Sequence, residues 1–301
     1  MPKLDLPPIA VDFEALRLTD DRWDFDLLGF EMLARAGRMA EQVGAGVARA
    51  TPPTGLTLDE AVVGGLLIRL TKLVRALFDS TQADQSEAHL ALSRCVAETA
   101  LTLRWLVEHG TAEHLRRFRA DSFAQWRREL ARMQQVGSGS EDDVQRLTRQ
   151  KVEEQVGHEL LAAGLSWDDV PAIPNSWGPD LRQRCQAFDQ EWIYHSLFAS
   201  HSAYVHPSWH EIRAFHLATD GEALVLDMTY GGMAPGVGYV VSRLVAEACG
   251  ATARFLPCDL EPEDVRERVE ATVQAGQMLA SEFAEFMARG GVDDDLKRHR
   301  D

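Results

Sequence analysis

Val62, Leu66, Leu70, Leu73 and Leu77 recur at intervals of three and four residues. That period commits the segment to an α-helix, because 3.6 residues per turn return those positions to one face. Thr57 and Glu60, in T-x-x-E spacing just ahead, supply a capping box to start it, and the stripe runs to about Phe78. Helical patterning also covers about 24–48, 85–109, 144–163, 181–205, 237–248 and 261–289. Within 85–109, Leu90, Leu92, Val96, Ala100, Leu103, Leu106 and Val107 leave almost no polar face, which predicts a central buried helix ended by Gly110. Ala214–Thr219 and Glu222–Met228 flank Asp220-Gly221, a hairpin signal. The expected fold is mainly α, a helical bundle with one small β-hairpin near residues 213–229. An N-terminal extension and first helix occupy 1–55, the bundle domain 56–290, and a charged tail 291–301.

No apolar run approaches the roughly 20 residues needed to span a bilayer, and Pro2, Pro7 and Pro8 interrupt the first ten residues. The sequence is therefore expected to be cytoplasmic, with no membrane partner. Cys95, Cys185, Cys249 and Cys258 form no C-x-x-C pair and read as reduced packing thiols. A net charge of -16 repels phosphate at long range, so any nucleic-acid contact must be local. His114–Arg132 offers one such place: six arginines, Arg127 and Arg128 among them, interleave with Phe118, Phe123 and Trp126. That pattern fits a phosphate-tracking, base-stacking surface, and it also fits an amphipathic helix with its aromatics turned to the core.

Chemistry-bearing side chains concentrate in two helices. Arg94 and Glu98 sit four apart in the helix that is apolar all round, which predicts a buried pair, either a clamp between helices or an anion-binding arginine with an orienting carboxylate. Of 10 histidines, His195, His201, His206, His210 and His216 fall within 22 residues. At 100° per residue Glu191, His195, Ser202 and His206 share one sector, a grouping able to accept, donate and relay protons near neutral pH. His206, His210 and Glu211 invite a metal, but the chain has neither paired E-x-x-H elements nor H-E-x-x-H, so no metal and no cofactor is expected. The candidate catalytic set is His206, Ser202, Arg94 and Glu98, and the candidate binding set is Glu191, His195, Arg127 and Arg128. Gly231–Gly238 precedes a helix without the lysine of a P-loop and reads as a loop and cap.

The stretches SRCVAETALTLRWL (Ser93–Leu106) and IYHSLFASHSAYVHPSW (Ile193–Trp209) resemble the recurring elements of a bacterial family of uncharacterised helical domains. These are an R-x3-E helix and an S-x3-H helix end followed by a hairpin. The resemblance runs from about Leu56 to Met287 and marks Arg94, Glu98, Ser202 and His206. More distantly the chain is similar to HEPN-like helical bundles, many of them dimeric, metal-independent ribonucleases of toxin-antitoxin and antiviral systems. Their R-x4-6-H spacing is met by Arg104–His109. Three functions stand side by side on this reading. One is a HEPN-like, defence-associated protein acting on RNA or a nucleotide, as a homodimer. The second is a noncatalytic module for a protein partner, and the third a small-molecule enzyme or sensor with a pocket under the Ser166–Pro179 loop.

Overall fold

The capping box forms as the spacing predicts: the Thr57 amide donates to Glu60 Oε2 at 2.8 Å, and the Glu60 amide donates to Thr57 Oγ1 at 3.3 Å. Hydrogen bonding from the Thr57 amide, and then from its hydroxyl, holds the Glu60 carboxyl below the usual carboxylate range. The computed structural model describes residues 1–82, 86–137, 143–174, 176–199, 217–220, 223–226 and 235–290. Its helices are α1 (Phe13–Leu18), α2 (Arg22–Ala50), α3 (Leu58–Gln82), α4 (Ser86–Glu108), α5 (Ala112–Asp121), α6 (Ala124–Gly137) and α7 (Asp143–Ala162). After a 3₁₀ turn at Trp167–Asp169 come α8 (Leu181–Gln186), α9 (Glu191–Ile193) running into a π-helical turn (Tyr194–Ala199), α10 (Pro235–Phe255) and α11 (Pro262–Ala288). The fold is mainly helical. Leu217–Asp220 and Ala223–Leu226 pair antiparallel, with Leu217 opposite Leu226 and Asp220 opposite Ala223. Residues 221–222, which join them, lie outside the described residues, as do 200–216, 227–234 and the tail from 291.

The central helix is α10, not α4. Val237 to Thr252 are buried on almost every side, packed by α2, α11 and α4, with α3 behind. Helix α4 instead leaves Cys95 and Glu98 exposed on one face, so its apolar circumference does not translate into all-round burial. Periodicity reports how much of a helix is apolar, whereas the number of neighbours decides how much is covered. α2 approaches α10 closely at Gly29, where an added Cβ would lie 3.1 Å from both the Cα and the carbonyl oxygen of Pro235.

Two expected single helices are interrupted. His114–Arg132 breaks at Ser122-Phe123 between α5 and α6, while Leu181–Val205 breaks after Gln186 and is π-wound from Tyr194. The second break turns on Asp189, whose φ of 56° lies in the left-handed region that Asp and Asn tolerate better than most residues. The residues before α1 reach inward as well as across the surface, with Leu4 and Leu6 buried in the main core. Among the described residues no helix is long and apolar enough to cross a membrane.

The four cysteines are free, and their environments separate their reactivities. Burial pushes the Cys185 thiol up to about 11 and the Cys249 thiol up to about 12. At pH 8 their thiolate fractions are therefore on the order of one in a thousand or less, and only thiolates alkylate readily. Iodoacetamide is expected to label exposed Cys95 first and half-buried Cys258 more slowly, with Cys185 and Cys249 reacting only after denaturation. Peptide mass spectrometry reads the order; prompt labelling of Cys249 in the folded protein would contradict this core.

Candidate functional site

Helix α4 presents Arg94, Glu98 and Thr102 on successive turns of one side, towards α8 and the π-helical turn. The expected buried Arg94–Glu98 pair is not made. Glu98 is exposed, and no ion pair to it from Arg94 is formed. Arg94 is half-buried, and its Nη1 is sealed from solvent with no hydrogen-bond acceptor among the described residues. A buried donor left unsatisfied loses its hydration without recompense, so such an atom invites a ligand.

Facing this helix is Arg184 of α8, which sequence reasoning missed. Only 8% exposed, it donates from Nη1 to Thr102 Oγ1 at 2.7 Å and from Nε to the Pro179 carbonyl at 3.0 Å. Its guanidinium lies 4.6 Å above the Trp177 ring centroid. All these acceptors are neutral. Burial pulls the Arg184 pKa below its ordinary value, and the nearby Glu98 and Asp180 carboxylates oppose that fall. Leu181, Arg184, Cys185 and Phe188 follow helical spacing, which already places Arg184 on an inward stripe; that was the available signal. Asp180 holds α8 in place through a reciprocal cap with Gln183, at 2.8 and 2.9 Å.

Beyond α8, Glu191 accepts from Arg182 at 2.5 Å and stands 3.9 Å from His195 Nε2. The Glu191 carboxyl is held low by its hydrogen bonds from Gln186 and Arg182, with His195 contributing less. The π-helical turn buries Leu197 and Phe198 and leaves His195 exposed. Because π winding advances fewer degrees per residue, the sector expected to align Glu191 with His195, Ser202 and His206 cannot be projected through 194–199 at 100°. Ser202 and His206, with His201, His210, Glu211 and His216, lie outside the described residues.

The arginines of α5 and α6 mostly serve the fold. Arg119 pairs with Asp59 of α3 at 2.5 Å, Arg117 with Glu113 at 2.9 Å, and Arg116 with Asp169. Arg127 donates to the carbonyls of Trp167 and Val170, pinning that loop, and exposed Arg128 donates to Gln125. Phe118 meets Trp177 edge-on at 5.1 Å and Phe123 packs in a small core with α7, leaving Trp126 as the exposed aromatic. A cleft of about 360 Å³ does lie under the 166–179 loop, but Arg116 and Arg117 share it with Glu113, Asp168 and Asp169, and both arginines are already paired. Arg104, the first residue of the R-x4-6-H spacing, is held by Glu247 at 2.7 Å and Glu108 at 3.2 Å, and rests 3.9 Å from the centroid of the Phe188 ring. His109 packs on the same ring at 5.2 Å.

Residues 60–223, more than half of the chain and the stretch that carries α3 to α9, match the family of unknown function DUF5677. The chain belongs to that family. No curated protein and no solved structure matches it. DUF5677 carries no established activity, and the matched stretch contains the face with Arg94, Glu98 and Arg184 while α2, α10 and α11 lie outside it.

Proposed function

We propose that this DUF5677 protein binds a compact phosphate-bearing molecule, a nucleotide or a phosphorylated metabolite, on the face of α4 that carries Arg94 and Glu98. Ser202 and His206 complete the centre in this reading, His206 as acid/base, on the strength of their S-x3-H spacing after the π-helical turn. The observation that carries it is the buried, unsatisfied Nη1 of Arg94, a donor with no acceptor among the described residues. Arg184 adds a second buried guanidinium held only by neutral acceptors, and exposed Glu98 is placed to orient a hydroxyl or amine of the ligand. A compact ligand is favoured over RNA because the arginines of α5 and α6 are largely spent on internal contacts, and a net charge of -16 repels a polyanion.

Calorimetric titration with AMP, ATP and a single-stranded RNA tests this. Nucleotide is expected to bind more tightly than RNA, and Arg94→Gln to weaken it at least about tenfold, the worth of a charge-assisted hydrogen bond. His206→Gln is expected to keep binding and abolish turnover. Unchanged affinity in a folded Arg94→Gln protein, or RNA binding that outcompetes nucleotide, would overturn the reading. The interaction-module alternative has one observation of its own: Leu18, Trp23 and Leu27 are exposed together around the start of α2, with Trp23 66% accessible. Failure to bind nucleotide, together with a dimer that Trp23→Asp dissolves, would move that alternative to the front.

A further inference from the structure

Residues 7–13, which precede the family's matched segment, cross between α2 and α11 over two adjoining clefts of about 310 and 290 Å³. Arg35 of α2 lines both and is only 4% exposed. Its Nε donates to Thr272 Oγ1 at 3.0 Å and its Nη1 to the Pro7 carbonyl, two neutral acceptors for a fork that carries five N–H groups. No carboxylate pairs with it among the described residues. Burial, and after it the neighbouring charges of Arg268 and Arg38, pull its pKa below the ordinary value. Arg268 does have a carboxylate, Asp264, at 3.6 Å, but Asp264 Oδ2 also accepts the Leu4 amide at 2.6 Å. Arg35 and Arg268 thus meet at the first cleft and Arg35 and Arg38 at the second, in a strongly acidic chain, and Arg35, the residue common to both, has no carboxylate partner among the described residues. Burying such a charge is costly unless an anion joins it.

We infer that this cleft is a binding site for a small amphiphile whose anionic group sits on Arg35 and Arg268 and whose apolar body lies along Val11, Phe13 and Met278. The apolar wall is what separates it from a site for a free inorganic anion. Its volume is at the lower end of ligand pockets, roughly 300–1,000 Å³, which suits a medium-chain acid better than a nucleotide. None of these residues belongs to the α4 centre, so the site stands independently of the nucleotide reading.

Calorimetry on the full chain with octanoate, octanol and inorganic phosphate decides it. Octanoate is expected to bind at least about tenfold more tightly than octanol, the fold-change of one charge-assisted hydrogen bond, and more tightly than phosphate. Arg35→Gln should remove the preference for octanoate. Since Arg35 also latches the Pro7 carbonyl and that variant risks unfolding, Arg268→Gln, at a one-third exposed side chain, is the second test and should weaken octanoate while leaving octanol unchanged. Arg94→Gln should bind octanoate like the parent protein, which keeps this result separate from the nucleotide titration. Equal binding of octanoate and octanol, phosphate binding as tightly as octanoate, or no binding by any probe would overturn the inference. So would a preference that survives in a folded Arg268→Gln protein, leaving Arg35 as a latch for residues 7–13 and nothing more.

Discussion

Glu247→Ala is expected to cost the fold about 3 kcal/mol. Glu247 Oε2 accepts from Arg104 Nη1 at 2.7 Å and Oε1 from Arg243 Nε at 3.2 Å, while Gln190 Nε2 donates to both oxygens at 3.1 Å. Gln190 is itself buried, and the three charged side chains are between 11% and 18% exposed. Removing the carboxylate strands the Arg243 guanidinium and the Gln190 amide where water reaches poorly, and takes from Arg104 its shorter bond. Arg104 keeps Glu108, which is why the cost falls at the low end of the roughly 3–5 kcal/mol for breaking a buried ion pair. Glu247→Gln should retain the shape and lose about half as much. The control is Glu98→Ala: an exposed carboxylate with no ion pair among the described residues should shift stability by no more than about 0.5 kcal/mol. Urea midpoints measure all three. A Glu247→Ala midpoint equal to the parent's would dissolve the network, and a large loss in Glu98→Ala would restore the pair with Arg94.

The contrast between these two glutamates shows what a sequence of this kind can and cannot say. Arg94 and Glu98 in α4, and Arg243 and Glu247 in α10, are the same i,i+4 pattern set in apolar helices. Spacing fixes that each pair shares a face, but which face is covered depends on the neighbouring helices, and only the α10 pair is enclosed. The long helix α3 was legible because it repeats its apolar stripe over several turns, and α4 because its apolar residues run round the whole helix. Helix α10 was legible as a helix and not as the centre of the fold. The break after α8 was illegible for a different reason. No glycine or proline marks it, and Asp189 adopts the left-handed geometry that a turn signal would normally assign to glycine. The arginines of α5 and α6 illustrate the third kind of gap: composition counts charge, whereas Asp59 and Asp169, distant in sequence, neutralise it in the fold.

The limits of the family match carry a related lesson. Residues 60–223 include the α4 face but not α2, α10 or α11, although α4 and α3 bury their apolar sides against α2 and α10. The shared segment therefore depends on flanking helices for its core. A site on its outward face, around Arg94 and Arg184, is compatible with different flanks in a way that a site at the α10 interface would not be. The Arg35 cleft, built entirely from those flanks, is by the same reasoning a property of this chain and not of the matched segment.

Trp177→Ala is expected to destabilise the protein by about 4 kcal/mol and to free the 166–180 connection in particular. Trp177 is 6% exposed and is the piece on which that connection is anchored: it meets Trp105 at 5.8 Å, Phe118 edge-on at 5.1 Å and the Arg184 guanidinium at 4.6 Å. A buried indole withdraws on the order of 200 Å² from water, worth about 5 kcal/mol at 25 cal/mol per Å², from which partial collapse of the space recovers some. The cation–π contact with Arg184 is lost as well, and Arg184 is then left with Thr102 and the Pro179 carbonyl alone. Trp177→Phe keeps an aromatic face for both the guanidinium and Phe118 and should recover at least half of the loss. Urea denaturation gives the magnitude, and limited proteolysis gives the location. Cleavage within 166–180 should speed up in Trp177→Ala while the α10 core stays protected, because a loop opens at a lower free energy than the helices it covers. If the midpoint falls and the cleavage sites do not change, Trp177 is an ordinary core residue and does not anchor the connection. An unchanged midpoint would remove the aromatic cluster, and with it the covered position of Arg184 beside α4.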